Sequence, residues 1–145
     1  MQAMRKEKTY RSTMRACYQG IVSQAIINNL APLLFVIFQT KFEVSLGQIG
    51  FLILLNFTTQ LVVDALSVKF ADRIGYRPLV VGAHVFCVLG LLLMSLLPNV
   101  LPSPYVGLLI AVVTYAIGGG LIEVLVSPIA DGIPGDAKAA SMSLL

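Results

Sequence analysis

Four apolar stretches of this chain, at 21–38, 47–68, 78–97 and 105–129, are each long enough to cross the hydrocarbon core of a bilayer as a helix. That pattern leaves little freedom in fold, because within lipid each backbone N–H and C=O must be paired inside the protein, and a helix does this within one segment. Composition agrees: mean hydropathy is +0.88 and only 12% of residues are charged, too apolar for an ordinary soluble domain. The separators are short and carry turn chemistry. Lys41 and Glu43 follow the first stretch, Asp72-Arg73-Ile74-Gly75 the second, and Pro98, Pro102 and Pro104 fall between the third and fourth. The expected architecture is an all-α membrane protein. It has a basic cytoplasmic N-terminus at 1–17 and a four-helix transmembrane region at 18–131, with helices at about 21–38, 47–70, 78–97 and 105–129. Residues 132–145 read as a cytoplasmic loop and the start of a fifth helix.

Orientation follows from the basic residues. Arg5, Lys6, Lys8, Arg11 and Arg15 precede the first span, Lys69, Arg73 and Arg77 lie between the second and third, and Lys138 follows the fourth. Every Lys and Arg except Lys41 therefore lies on one side, which the positive-inside rule makes cytoplasmic. The expectation is a multi-pass protein of the cell membrane with both ends inside. The basic start is not read as a cleaved signal peptide, since the apolar run behind it contains Gln24, Asn28 and Asn29 and lacks a small-x-small cleavage site.

The polar residues inside the spans carry the functional reading. Glu123 is a lone carboxylate in the otherwise uncharged segment 105–129, and an acid in a span normally faces a protein interior or an aqueous path. On the second span Asn56, Gln60 and Asp64 recur at i, i+4 and i+8, one stripe of a helix. The first span offers Gln24 and Asn28 at the same spacing, with Asn29 adjacent, and the fourth offers Tyr115, Gly119, Glu123 and Ser127. Each stripe alone is explained by helix-to-helix bonding; three together point to a solvated path for a polar solute. Cys17 and Cys87 are placed where a disulfide is not expected, and His84 stands alone without metal-ligand spacing. With no phosphate-cradling loop and no nucleophile beside a base, neither an enzyme nor a cofactor, metal or nucleic-acid site is expected.

Two motifs add a resemblance. The stretch from Asp64 to Arg77, with Asp72, Arg73 and Gly75 in place, resembles the signature between helices two and three of the major facilitator superfamily, roughly G-x-x-x-D-R-x-G-R-R; Val68 stands where that family has its first glycine, and Tyr76-Arg77-Pro78 where it has paired bases. In that family the motif forms a charge-linked latch at the cytoplasmic face, which the resemblance implies for Asp72, Arg73, Gly75 and Arg77, with Asp64 at its edge. The run Gly118-x-Gly120-x-x-Glu123-x-x-x-Ser127-Pro128 is similar to the fourth-helix motif of the fucose permease group of sugar symporters, with Ser127 replacing an asparagine.

The resemblance implies that Glu123 serves substrate and proton binding, with Gln24, Asn28, Asn29, Asn56 and Gln60 beside it. It also implies that four spans are the first part of the N-terminal six-helix half of a twelve-span transporter working by alternating access. The chain is then expected to be a fragment, needing the remaining helices as partners, and to carry a sugar-like polar molecule, with protons as a possible coupling ion. The alternatives are a uniporter or drug exporter of the same fold, in which Glu123 binds a cation, and a four-span interaction protein in which the stripes are assembly contacts.

Overall fold

A computed structural model of the chain describes residues 2–131; the expected loop and fifth-helix start at 132–145 lie outside the described residues. Four helices follow one another: α1 (Gln2–Phe42), α2 (Leu46–Ile74), α3 (Tyr76–Val100) and α4 (Pro104–Asp131). Each contains a segment long and apolar enough to cross a membrane, at Ser12–Phe42, Leu46–Ser67, Tyr76–Val100 and Pro104–Ile129. The helices outrun the apolar stretches. α1 continues back through the basic N-terminal segment, and α3 carries Pro98 inside its last turn rather than ending before it.

The connections show how side chains and backbone set the turns. Between α1 and α2, Glu43 takes a left-handed φ of 55°, and Ser45 caps α2 reciprocally: its hydroxyl accepts from Gln48 N–H at 3.2 Å while Gln48 Oε1 accepts from Ser45 N–H at 2.9 Å. Between α2 and α3 a single residue, Gly75, is the whole connector. Its φ of 89° and ψ of 153° lie in a region nearly closed to residues with a Cβ, and its N–H closes the end of α2 on Ala71 O at 3.0 Å. Thus the glycine of the Asp72–Gly75 motif has a backbone reason to be there.

Side-chain contacts fix the topology as up-down-up-down. Tyr105 at the start of α4 donates to Gln48 O near the start of α2, and Gly119 and Gly120 of α4 lie against Gln60 farther along, so α2 and α4 run parallel. Gly118 of α4 meets Ala83 and Cys87, whereas Gly107 meets Leu97, so α3 is antiparallel to both. At the far end of α1, Lys41 donates to Asn99 Oδ1 at 3.2 Å and lies over the Phe42 ring. The centre of the bundle is α4, which packs against all three other helices, most extensively on α3. Leu108, Ala111, Val112, Tyr115, Ile122 and Leu125 of α4 are buried. By contrast, Leu33, Val36, Leu54, Leu61, Val81 and Leu96 are exposed, as expected of surfaces whose solvent is lipid or further protein rather than water.

Candidate functional site

Facing α4, α2 presents Asn56, Gln60 and Asp64, two turns of helix covering about 12 Å. Asn56 and Gln60 are 7% and 5% exposed, unusual burial for amides. Gln60 is held from two sides. Its Nε2 donates to Asn28 Oδ1 of α1 at 3.1 Å, and its backbone and side chain lie against Gly119 and Gly120 of α4, where added methyl groups would stand 3.0 Å from Nε2 and 3.2 Å from Cα. The two glycines therefore act as a flat seat that lets the amide pass between helices.

One turn farther along, Gln24 of α1 donates to Glu123 Oε2 of α4 at 2.8 Å. A hydrogen bond to a carboxylate is among the stronger ones a protein makes, and this one joins residues 99 positions apart in the chain. Asp64 reaches the same place from α2. A methyl group on Gly120 would lie 3.3 Å from Asp64 Oδ1, so this carboxylate lies against α4 three residues before Glu123. Gln24, Asn28, Asn56, Gln60, Asp64 and Glu123 thus form a polar column contributed by α1, α2 and α4.

Two members of that column are incompletely bonded. Asn56 Oδ1 and Asp64 Oδ1 are buried and lack a hydrogen-bond partner, whereas buried polar atoms in native proteins are nearly always paired. Both orphans are acceptors. A third acceptor is freed by Pro32: having no N–H, it leaves the Asn28 carbonyl without its usual helical donor. The column therefore presents acceptors and negative charge, suited to hydroxyl groups, water, protons or cations.

Not every residue singled out by the sequence belongs to it. Asn29 is turned outward and bonds its own helix, Nδ2 to Ala25 O at 2.7 Å. Tyr115 is 1% exposed and packs on Gly90 of α3 rather than sharing a face with Glu123, because steps of four residues drift by about 40° each around a helix of 3.6 residues per turn. Ser67 is buried and bonds its own helix at Val63 O. Asp64, which the sequence places both in the α2 stripe and at the edge of the latch, lies against Gly120 of α4, two helical turns from Asp72. Of the latch residues, the Asp72 side chain lies outside what the structure describes, and Arg73 and Arg77 are exposed on either side of Gly75.

Glu123 itself is exposed in the four-helix bundle, on the open side of the column next to Gln24. A carboxylate at this depth is costly against lipid, so it must meet water or further protein. Among the described residues, no group of three or more His, Cys, Asp or Glu side chains gathers as a metal site, and Cys17 and Cys87 are buried free thiols. No protein-family model, curated protein or solved structure matches this chain.

Proposed function

We propose that the chain is the membrane-embedded part of a secondary transporter that moves a polar small molecule, a sugar in the leading reading, by alternating access coupled to protons. The column of Asn56, Gln60·Asn28 and Asp64/Gln24·Glu123 carries the proposal, since a string of amides, two of them buried, and two carboxylates along membrane helices is expensive unless it serves a solute. In a major facilitator fold α1 and α4 are counterparts in inverted repeats, which agrees with Gln24 and Glu123 meeting across them. In this reading Asp72, Arg73 and Gly75 form the cytoplasmic latch, with Arg77 exposed beside them.

The test is uptake of labelled neutral hexoses by proteoliposomes containing the full-length protein, with and without an inward proton gradient. Accumulation abolished by a protonophore is expected. The exposure of Glu123 favours a second reading, assembly with another membrane protein; no uptake of any hexose, together with efficient cross-linking from Glu123→Cys to a separate chain, would establish that reading instead.

Orientation is tested separately. The ends of α1, α2 and α3 that carry Arg15, Arg73 and Arg77 are proposed to be cytoplasmic, with the Lys41 and Ser103 ends outside. An impermeant thiol reagent should label Ser103→Cys in intact cells and Arg73→Cys only after permeabilisation. Labelling in the reverse order would invert the bundle.

A further inference from the structure

Away from the column, α1 and α3 enclose a groove on their outer side. It has a volume of about 510 Å³ and is lined by Val81, Val85, Val88 and Leu89 of α3 and by Ala16 and Gln19 of α1. His84 lines it too, and borders an adjoining hollow of about 430 Å³ edged by Tyr18 and Ser23. The imidazole Nδ1 stands 2.8 Å from Val80 O. A carbonyl only accepts, so Nδ1 is assigned the proton and Nε2 is left as an acceptor.

Beyond the groove, the helix faces that line it carry arginines. Arg15 lies four residues before Gln19 and Arg77 seven before His84, spacings that put each arginine on the helix face lining the groove, one and two turns nearer the same end. Both are exposed, and no ion pair among the described residues engages either of them. Unpaired guanidinium groups above an apolar trough at membrane depth match one kind of molecule better than any other.

We propose that this groove is a binding site for an anionic phospholipid, its phosphate between Arg15 and Arg77 and an acyl chain along the valine face of α3. Val81 to Leu89 covers about 12 Å of helix, enough to hold the upper half of a fatty-acyl chain. Gln19 and Tyr18 offer an amide and a hydroxyl group about one turn below Arg15, at the level where glycerol esters sit. A zwitterionic lipid fits the trough equally well but leaves the arginines uncompensated, so the selectivity comes from charge. A helix of another chain would fill the trough without that preference.

Native mass spectrometry of the full-length protein, released from nanodiscs of phosphatidylcholine mixed with phosphatidylglycerol of the same acyl chains, tests the site. One retained phosphatidylglycerol, in preference to phosphatidylcholine, is expected. Arg15→Gln with Arg77→Gln should lower that preference about thirtyfold, since each base near an anionic headgroup is worth roughly fivefold. Both arginines are exposed, so circular dichroism of the double variant should match the wild type. Ala16→Trp, which fills the groove without altering charge, should reduce retention of both lipids. Equal retention of the two lipids by the wild type, or unchanged preference in the double arginine variant, overturns the proposal. So does protection of Val81→Cys from a lipid-soluble maleimide by another protein segment in the assembled protein.

Discussion

Gly118→Ala should prevent α3 and α4 from closing on one another, among the largest losses of stability expected from a single methyl group in this bundle. A Cβ there would stand 2.5 Å from both Ala83 O and Cys87 Sγ and 2.7 Å from Cys87 N. Two of those three atoms are backbone and cannot rotate away, so the helices themselves must separate. The same crossing is repeated along the hairpin: a Cβ on Gly90 would meet Tyr115 N at 2.5 Å, and one on Gly107 would meet Leu97 C at 2.8 Å. Association of helices in lipid rests on this kind of close packing, because burial of apolar surface gives little when the solvent is itself apolar. Overpacking of a tight interior costs about 1–3 kcal/mol, and with main chain on both sides the expectation is the upper end or beyond. Gly82→Ala is the control, since nothing lies within 4 Å of its Cβ direction; it should leave the melting temperature in detergent essentially unchanged. Gly119→Ala should fall between them, because it meets the flexible end of Gln60 at 3.0 Å. If Gly118→Ala melts like Gly82→Ala, the close crossing of α3 and α4 is wrong.

How much of this was legible beforehand varies with the kind of information involved. The four spans follow from runs of apolar residues, which the structure carries in four helices of sufficient length. The stripe Asn56, Gln60, Asp64 was also legible, because its members share a helix and their spacing alone puts them on one face. What could not be read is how stripes on different helices are rotated against one another. Gln24 meets Glu123 across 99 residues, a matter of helix packing rather than of local pattern. The Gly118–Gly120 run works in two directions, Gly118 toward α3 and the other two toward Gln60 on α2. Its counterpart Gly90 carried no signal, for an isolated glycine in an apolar helix looks the same whether or not a neighbour's main chain touches it. Asp64 shows a different difficulty. Nearness along the chain sets it at the edge of the Asp72–Arg77 motif and its position eight residues after Asn56 sets it in the α2 stripe, while only helix packing brings it against Gly120 of α4.

That position of Asp64 sharpens the expectation for transport. In the full-length protein Glu123→Gln should keep some exchange of substrate across the membrane but lose accumulation driven by a proton gradient. The glutamine keeps an acceptor for Gln24 Nε2, now 2.8 Å from Glu123 Oε2, and mimics the protonated acid; alanine would leave Gln24 unpartnered and confuse coupling with packing. A gradient of about 100 mV is worth roughly 2.3 kcal/mol per charge moved, or about fiftyfold accumulation, and this factor is what the variant should forfeit. Asp64→Asn should act in the same direction, because its carboxylate lies against α4 at Gly120, three residues before Glu123, and its Oδ1 has no partner of its own. If the two acids serve as one coupling unit, the double variant should be no worse than either single one, the non-additivity expected of groups that share a step. Additive losses would make them independent contributors. Undiminished gradient-driven accumulation in a folded Glu123→Gln protein would remove Glu123 from coupling altogether and leave the Gln24–Glu123 hydrogen bond as a contact between helices.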